Sequence, residues 1–277
     1  MIRKFVSSPI TILFIIYLLA YGLMIFNAGV WEDDWCLYNM SNDGIKECFT
    51  DQGMFYLSSI HIFMQHIGIF PPVAYHVLTF ILYFSTSVLL YKTLPYLKTD
   101  RNTQFILTAL FAVLPVNFAR IYMMNFQYTL GIFLCFAGLY FFTLAYYKRK
   151  LVFRLFSLIA CVFSFFLLPS TFVFIPAYIA FVIMLNVIHF TRPITKNLHF
   201  IVKQAFKYSD FIILTIVSWL CYSIFTKSAG LHAEVAYYSF KWGFILASPF
   251  YIGLSFIEIV LYLADFSNNK FLLVIEI

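Results

Sequence analysis

Long apolar runs separated by short polar connections dominate the chain. The runs cover Pro9 to Val30, Val73 to about Leu94, about Thr103 to Val116, Tyr128 to Tyr147, roughly 151–168, 171–188, 211–226 and 242–264. A helix needs about 20 apolar residues to cross a hydrocarbon core of about 30 Å, and most of these runs approach that length. They are continuous rather than alternating, so they do not read as the short strands of an outer-membrane barrel. The pattern predicts an all-α, polytopic transmembrane helical bundle of about eight spans, with 1–277 as one transmembrane domain. After Asp265 to Lys270 a further apolar run starts and reaches Ile277 after seven residues, which reads as the start of a ninth span in a chain truncated after 277.

Composition sharpens this picture. Of the 277 residues 63% are hydrophobic, 22% aromatic and only 11% charged, with a mean hydropathy of +0.89. Soluble domains carry about 25% charge. A cytosolic enzyme, a secreted domain and a disordered chain are therefore excluded. Arg3 and Lys4 precede the first run as in a signal peptide, but the run is too long for one and no small-residue cleavage site follows, so it reads as an uncleaved first span.

The net charge of +6 is a matter of topology here, not of nucleic acid. Arg3, Lys4 and the even-numbered connections hold fourteen of the basic residues, and the opposite side holds four, Lys46, Arg120, Lys227 and Lys241. The positive-inside rule then puts the N-terminus in the cytoplasm. The connection from Trp31 to Pro72 faces outward and carries six of the twelve acids. An oxidising outer compartment permits a Cys36–Cys48 disulfide, while Cys135, Cys161 and Cys221 sit in apolar runs as packing residues. Within the same connection, residues 54–66 predict an interfacial helix, with Tyr56, Leu57, Ile60, Phe63 and Met64 on one side and Ser58, Ser59, His61, Gln65 and His66 on the other.

Candidate chemistry concentrates on that outer side. Trp31-Glu32-Asp33-Asp34-Trp35 sets three consecutive carboxylates directly after the first span. Mutual repulsion and apolar surroundings raise carboxylate pKa values. Asp33 or Asp34 is then a candidate general base toward a hydroxyl, the pair is a candidate site for Mg²⁺ or Mn²⁺, and a solvated loop marking the outer face accounts for the same residues. Trp31 and Trp35 suit an interfacial belt or stacking on a sugar ring. Arg120, in a short turn between two spans, is a partner for an acid, a forked contact to a phosphate, or a snorkelling anchor. Asn125, Gln127, His61 and His76 are candidate substrate contacts; the histidines follow no zinc spacing. Walker, dinucleotide-binding and nucleophile-elbow patterns are absent. Mid-depth charges are missing from the first seven runs, which weighs against an ion transporter.

The acidic pair after the first span, the stretch Gly68-Ile-Phe-Pro-Pro-Val-Ala-Tyr-His76 and the segment Ala109 to Tyr122 with Pro115 and Arg120 together resemble the GT-C superfamily of integral-membrane glycosyltransferases. The likeness covers roughly residues 10–145; the Gly68–His76 stretch is similar to one in relatives of the protein O-mannosyltransferases, and the likeness is greatest to transmembrane mannosyltransferases that carry tetratricopeptide repeats. The resemblance implies a polyprenyl-phosphate-linked sugar donor and a glycan, lipid or protein acceptor, in cell-envelope polysaccharide biosynthesis at a bacterial inner (plasma) membrane. In that reading Asp33, rather than Asp34, deprotonates the acceptor hydroxyl and Arg120 contacts the donor phosphate. The alternative is a polysaccharide flippase, polymerase or other transport or assembly protein outside that superfamily.

Overall fold

The computed structural model describes residues 8–26, 29–30, 34–51, 55–67, 71–113, 122–168, 171–188 and 194–228. All of them fall within one compact unit, 1–230. Among the described residues every regular element is a helix. In chain order these are α1 (Pro9–Tyr21), α2 (Asp34–Asn39), α3 (Asn42–Asp51), α4 (Phe55–Gln65), α5 (Pro71–Thr93), α6 (Arg101–Val113), α7 (Phe126–Lys148), α8 (Leu151–Leu167), α9 (Thr171–Ile188), α10 (Ile194–Lys207) and α11 (Ser209–Ser228). Short 3₁₀ turns extend α1 to Phe26 and α5 to Leu97, and another, Met123–Asn125, leads into α7.

Three helical stretches are long and apolar enough to cross a membrane: Pro9–Phe26, Pro71–Leu97 and Met123–Lys148. Apolar helices of lesser length lie at Leu151–Leu167, Phe174–Leu185 and Ser209–Tyr222. The expected span at 103–116 corresponds to α6, whose described part has 13 residues. The expected eighth span and the start of a ninth lie outside the described residues.

Local sequence explains where these helices begin. Pro9 opens α1, and Pro71-Pro72 open α5. Proline is tolerated in a first turn because the N–H it lacks would have no partner there. Asp100 caps α6, its Oδ1 accepting the N–H groups of Asn102 and Thr103 at 3.1 and 3.0 Å. Ser41 does the same for α3, its Oγ accepting the Gly44 N–H at 3.2 Å.

Tyrosine hydroxyls close two of the helix ends. Tyr21 and Tyr83 donate their hydroxyls to the carbonyls of Val113 and Phe111 in the last turn of α6, at 3.1 and 3.4 Å. Tyr56 donates to the Phe166 carbonyl near the end of α8 at 2.9 Å. Terminal carbonyls have no partner within their own helix. A phenolic hydroxyl supplies one where water is scarce.

The tightest pairing is between α7 and α8. Ser157 and Ser164 on α8 donate to the carbonyls of Gly138 and Gly131 on α7, at 2.7 and 2.9 Å. Both glycines leave room for this approach. A Cβ on Gly138 would lie 2.6 Å from the Cys161 Sγ, and one on Gly131 would lie 2.8 Å from the Leu168 Cβ. Small residues that let backbones meet, with a serine bonding across, are how helices associate in lipid, where apolar burial offers no net drive.

Three hydrophobic clusters follow. One joins α1, α5 and α6 around Tyr17, Phe80 and Tyr83. A second joins α7, α8, α9 and α11 around Phe142, Ile179 and Phe211. The third ties α2, α3 and α4 onto α5, α7 and α8 through Leu37, Phe49, Leu57, Tyr75 and Phe126. The acidic connection is thus folded down on the bundle.

Candidate functional site

That third cluster contains a polar centre. Asp34 opens α2 and is fully buried. Its Oδ1 accepts the backbone N–H of Met124 at 2.9 Å, joining the acidic connection to the turn before α7. Asp34 also interacts electrostatically with Tyr75 on α5.

Beside it, His61 of α4 is wholly enclosed. Its Nδ1 lies 2.8 Å from the Tyr75 hydroxyl, and its Nε2 lies 3.1 Å from Oε1 of Gln127 on α7. Its ring stacks on Phe49, centroids 4.7 Å apart. Tyr75 in turn meets the edge of Phe126 at 5.4 Å. Burial makes the imidazolium costly and pushes the His61 pKa down to about 4, against a smaller upward pull from Gln127. The ring is therefore neutral at pH 7 and carries one N–H. Oε1 of Gln127 only accepts, so that proton sits on Nε2, and the Tyr75 O–H donates to Nδ1.

This chain of bonds orients groups rather than moving protons. It ends at an amide oxygen, which has no useful basicity. Its effect is to lock α4 against α5 and α7. Asp34 is the only carboxylate at this centre among the described residues.

The position of His61 reverses an expectation. The inner face of α4 is Leu57, Ser58, His61 and Met64, while Phe63 is 67% exposed. The inner face thus takes Leu57 and Met64 from the apolar side and Ser58 and His61 from the polar side, and His61 is held inside by its two partners, while Ser59 and His66 are exposed.

Of the other candidates, Gln127 joins the centre and His76 is buried on α5 one residue beyond Tyr75. Asn125 is half-buried in the 3₁₀ turn beside Met124. Trp35 is 54% exposed with its ring edge against Tyr38 at 6.0 Å, apart from the buried centre. Trp31, Asp33 and Arg120 lie outside the described residues, as does the side chain of Cys36 and with it any pairing to Cys48. Among the described residues no group of three His, Cys, Asp or Glu side chains is placed to hold a metal ion. The candidate Mg²⁺ or Mn²⁺ pair combines Asp33, outside the described residues, with Asp34, whose Oδ1 already takes the Met124 N–H.

Tyr75 was not among the sequence candidates, although it sits inside the Gly68–His76 stretch. Its signal was present: a phenol one residue before a histidine, in the first turns of a helix opened by two prolines, has its polar end near the helix mouth.

Comparison with family models, curated proteins and solved structures returns no match.

Proposed function

We propose that the chain is a multi-pass membrane glycosyltransferase of the GT-C kind, with about eight spans, that moves a sugar from a polyprenyl-phosphate-linked donor to an acceptor hydroxyl at the end of the bundle carrying the acidic connection. The observation that supports the reading is the 2.9 Å bond from the Met124 N–H to Asp34 Oδ1. The reading requires the acidic segment after the first span and the turn before α7 to meet, and this bond joins them. In the sequence Asp33 is the direct neighbour of Asp34, and Arg120 precedes Met124 by four residues.

In this scheme Asp33 takes the proton of the acceptor hydroxyl. The oxygen attacks the anomeric carbon, the bond from that carbon to the phosphate oxygen breaks, and the lipid phosphate leaves. Arg120 stabilises the charge growing on it. Asp34 acts as a positioning residue, holding the segment in place through Met124.

The test pairs two readouts. Asp33→Asn is expected to abolish transfer, read as loss of the added sugar from the surface glycans of an expressing strain, with protein level unchanged. Arg120→Ala is expected to weaken binding of undecaprenyl phosphate about tenfold or more, and Arg120→Lys to recover part of it by keeping charge without the fork. Unaltered surface glycans with Asp33→Asn refute the base, and equal lipid-phosphate binding by all three forms refutes the phosphate role.

A further inference from the structure

Between α9 and α11 lies α10, and its residue pattern is unlike that of the other helices. It has 14 residues, so it is about 21 Å long, too short for a hydrocarbon core of about 30 Å. At 3.6 residues per turn, Ile194, Leu198, Ile201, Val202, Ala205 and Phe206 fall in one sector of about 140°. Lys196, Lys203 and Lys207 fall in a separate stripe about 40° wide that begins about 60° round from Phe206.

The structure divides the apolar sector. Ile201 packs against the cluster of α7, α8, α9 and α11. Val202 and Phe206 are 44% and 76% exposed. Lys203 and Lys207, also exposed, flank them. The exposed apolar face continues past the junction into Ile212, Ile213 and Ile216 of α11. The junction is firmly held. Arg154 of α8 donates in a fork to both Asp210 oxygens, Nε at 2.7 Å and an Nη at 2.6 Å, and that same Nη donates to the Lys207 carbonyl at 2.6 Å. Its guanidinium lies 5.3 Å from the Tyr208 ring centre.

We propose that α10 lies in the membrane interface and binds anionic phospholipid, with Phe206 and Val202 inserted among acyl chains and Lys203 and Lys207 on the headgroup phosphates. Two features select a charged lipid surface over a protein partner. The exposed apolar strip is only one side chain wide along α10 and runs directly into the apolar face of α11. The adjoining stripe contains basic residues with no acid among them, which complements a negative headgroup layer.

The full chain is reconstituted in nanodiscs of equal phosphatidylglycerol and phosphatidylcholine, with photoreactive benzoyl-phenylalanine at position 206. The expected product on irradiation is an acyl-chain adduct, with phosphatidylglycerol favoured about fivefold or more over phosphatidylcholine, on the scale of one lysine near an anionic surface. Lys203→Gln together with Lys207→Gln brings the ratio close to one at unchanged thermal transition. Adducts to protein in place of lipid, or a ratio that the double variant does not move, overturn the proposal. Millimolar glycerol 3-phosphate leaves the ratio intact if a surface is what α10 reads; a fall in the ratio would show that the lysines take a soluble phosphoester, and would overturn it equally.

Discussion

Asp34 and Met124 stand 90 residues apart in the chain, and a single 2.9 Å hydrogen bond from the Met124 amide to the Asp34 carboxylate joins them inside the protein. A buried carboxylate is tolerated when hydrogen-bond donors replace water. Here the donor is backbone, at the head of a 3₁₀ turn that cannot otherwise satisfy it. The bond therefore serves both partners, and it fixes the entry to α2 against the entry to α7.

Asp34→Ala is expected to lower stability by about 2 kcal/mol, because it removes the acceptor of the part-buried Met124 N–H. Asp34→Asn keeps an acceptor oxygen and should lose less than half of that. Denaturation of both variants in detergent micelles checks the order. Equal losses would show that charge, not the Met124 bond, is what this site needs.

Acid should weaken the same end of the bundle through His61. Its folded pKa of about 4 lies below the ordinary 6.5, so the unfolded chain binds a proton first as pH falls. Stability is unaffected above about pH 6.5, declines between about 6.5 and 4, and levels off below, for a loss of up to about 3 kcal/mol. His61→Gln cannot titrate and should lack that share of the decline. Comparing thermal transitions of the two proteins at pH 7.5 and 4.5 measures it; parallel shifts would remove His61 as the cause.

The α7–α8 contact offers a test by rescue. Gly138→Ala would press a methyl to 2.6 Å from the Cys161 sulfur, and an overpacked core typically loses about 1–3 kcal/mol. Adding Cys161→Ala removes that sulfur and should restore most of the transition temperature. Gly131→Ala has no such remedy, since its methyl would meet the Leu168 Cβ and the Leu168 backbone nitrogen at 2.8 and 3.3 Å. A Gly138→Ala protein that Cys161→Ala fails to rescue would place the strain elsewhere.

Apolar run length alone announced α1, α5 and α7, because a stretch that long has few other fates in water or lipid. The acidic connection was harder. Its charges hid α2 and α3, although Ser41 as a cap and the spacing of Ile45 and Phe49 mark the latter. On α4 the buried face straddles the two predicted sides for a physical reason: in a membrane protein both the core and the surroundings accept apolar side chains, so hydrophobicity alone does not say which way a helix turns. Partners decide instead, and those of His61 are 14 and 66 residues away. The glycines of α7 show the same limit, since Gly131 and Gly138 gain meaning only once Ser164 and Ser157 lie opposite them.

The tyrosine closures have a direction in time. Tyr21, Tyr56 and Tyr83 all precede the carbonyls they serve, at Val113, Phe166 and Phe111. A chain made from its N-terminus onward thus has each donor waiting when the carbonyl leaves the ribosome. The reverse order occurs at Tyr147, which bonds back to the Tyr96 carbonyl at 2.9 Å, and that site is exposed, where a water molecule can stand in until the phenol is synthesised.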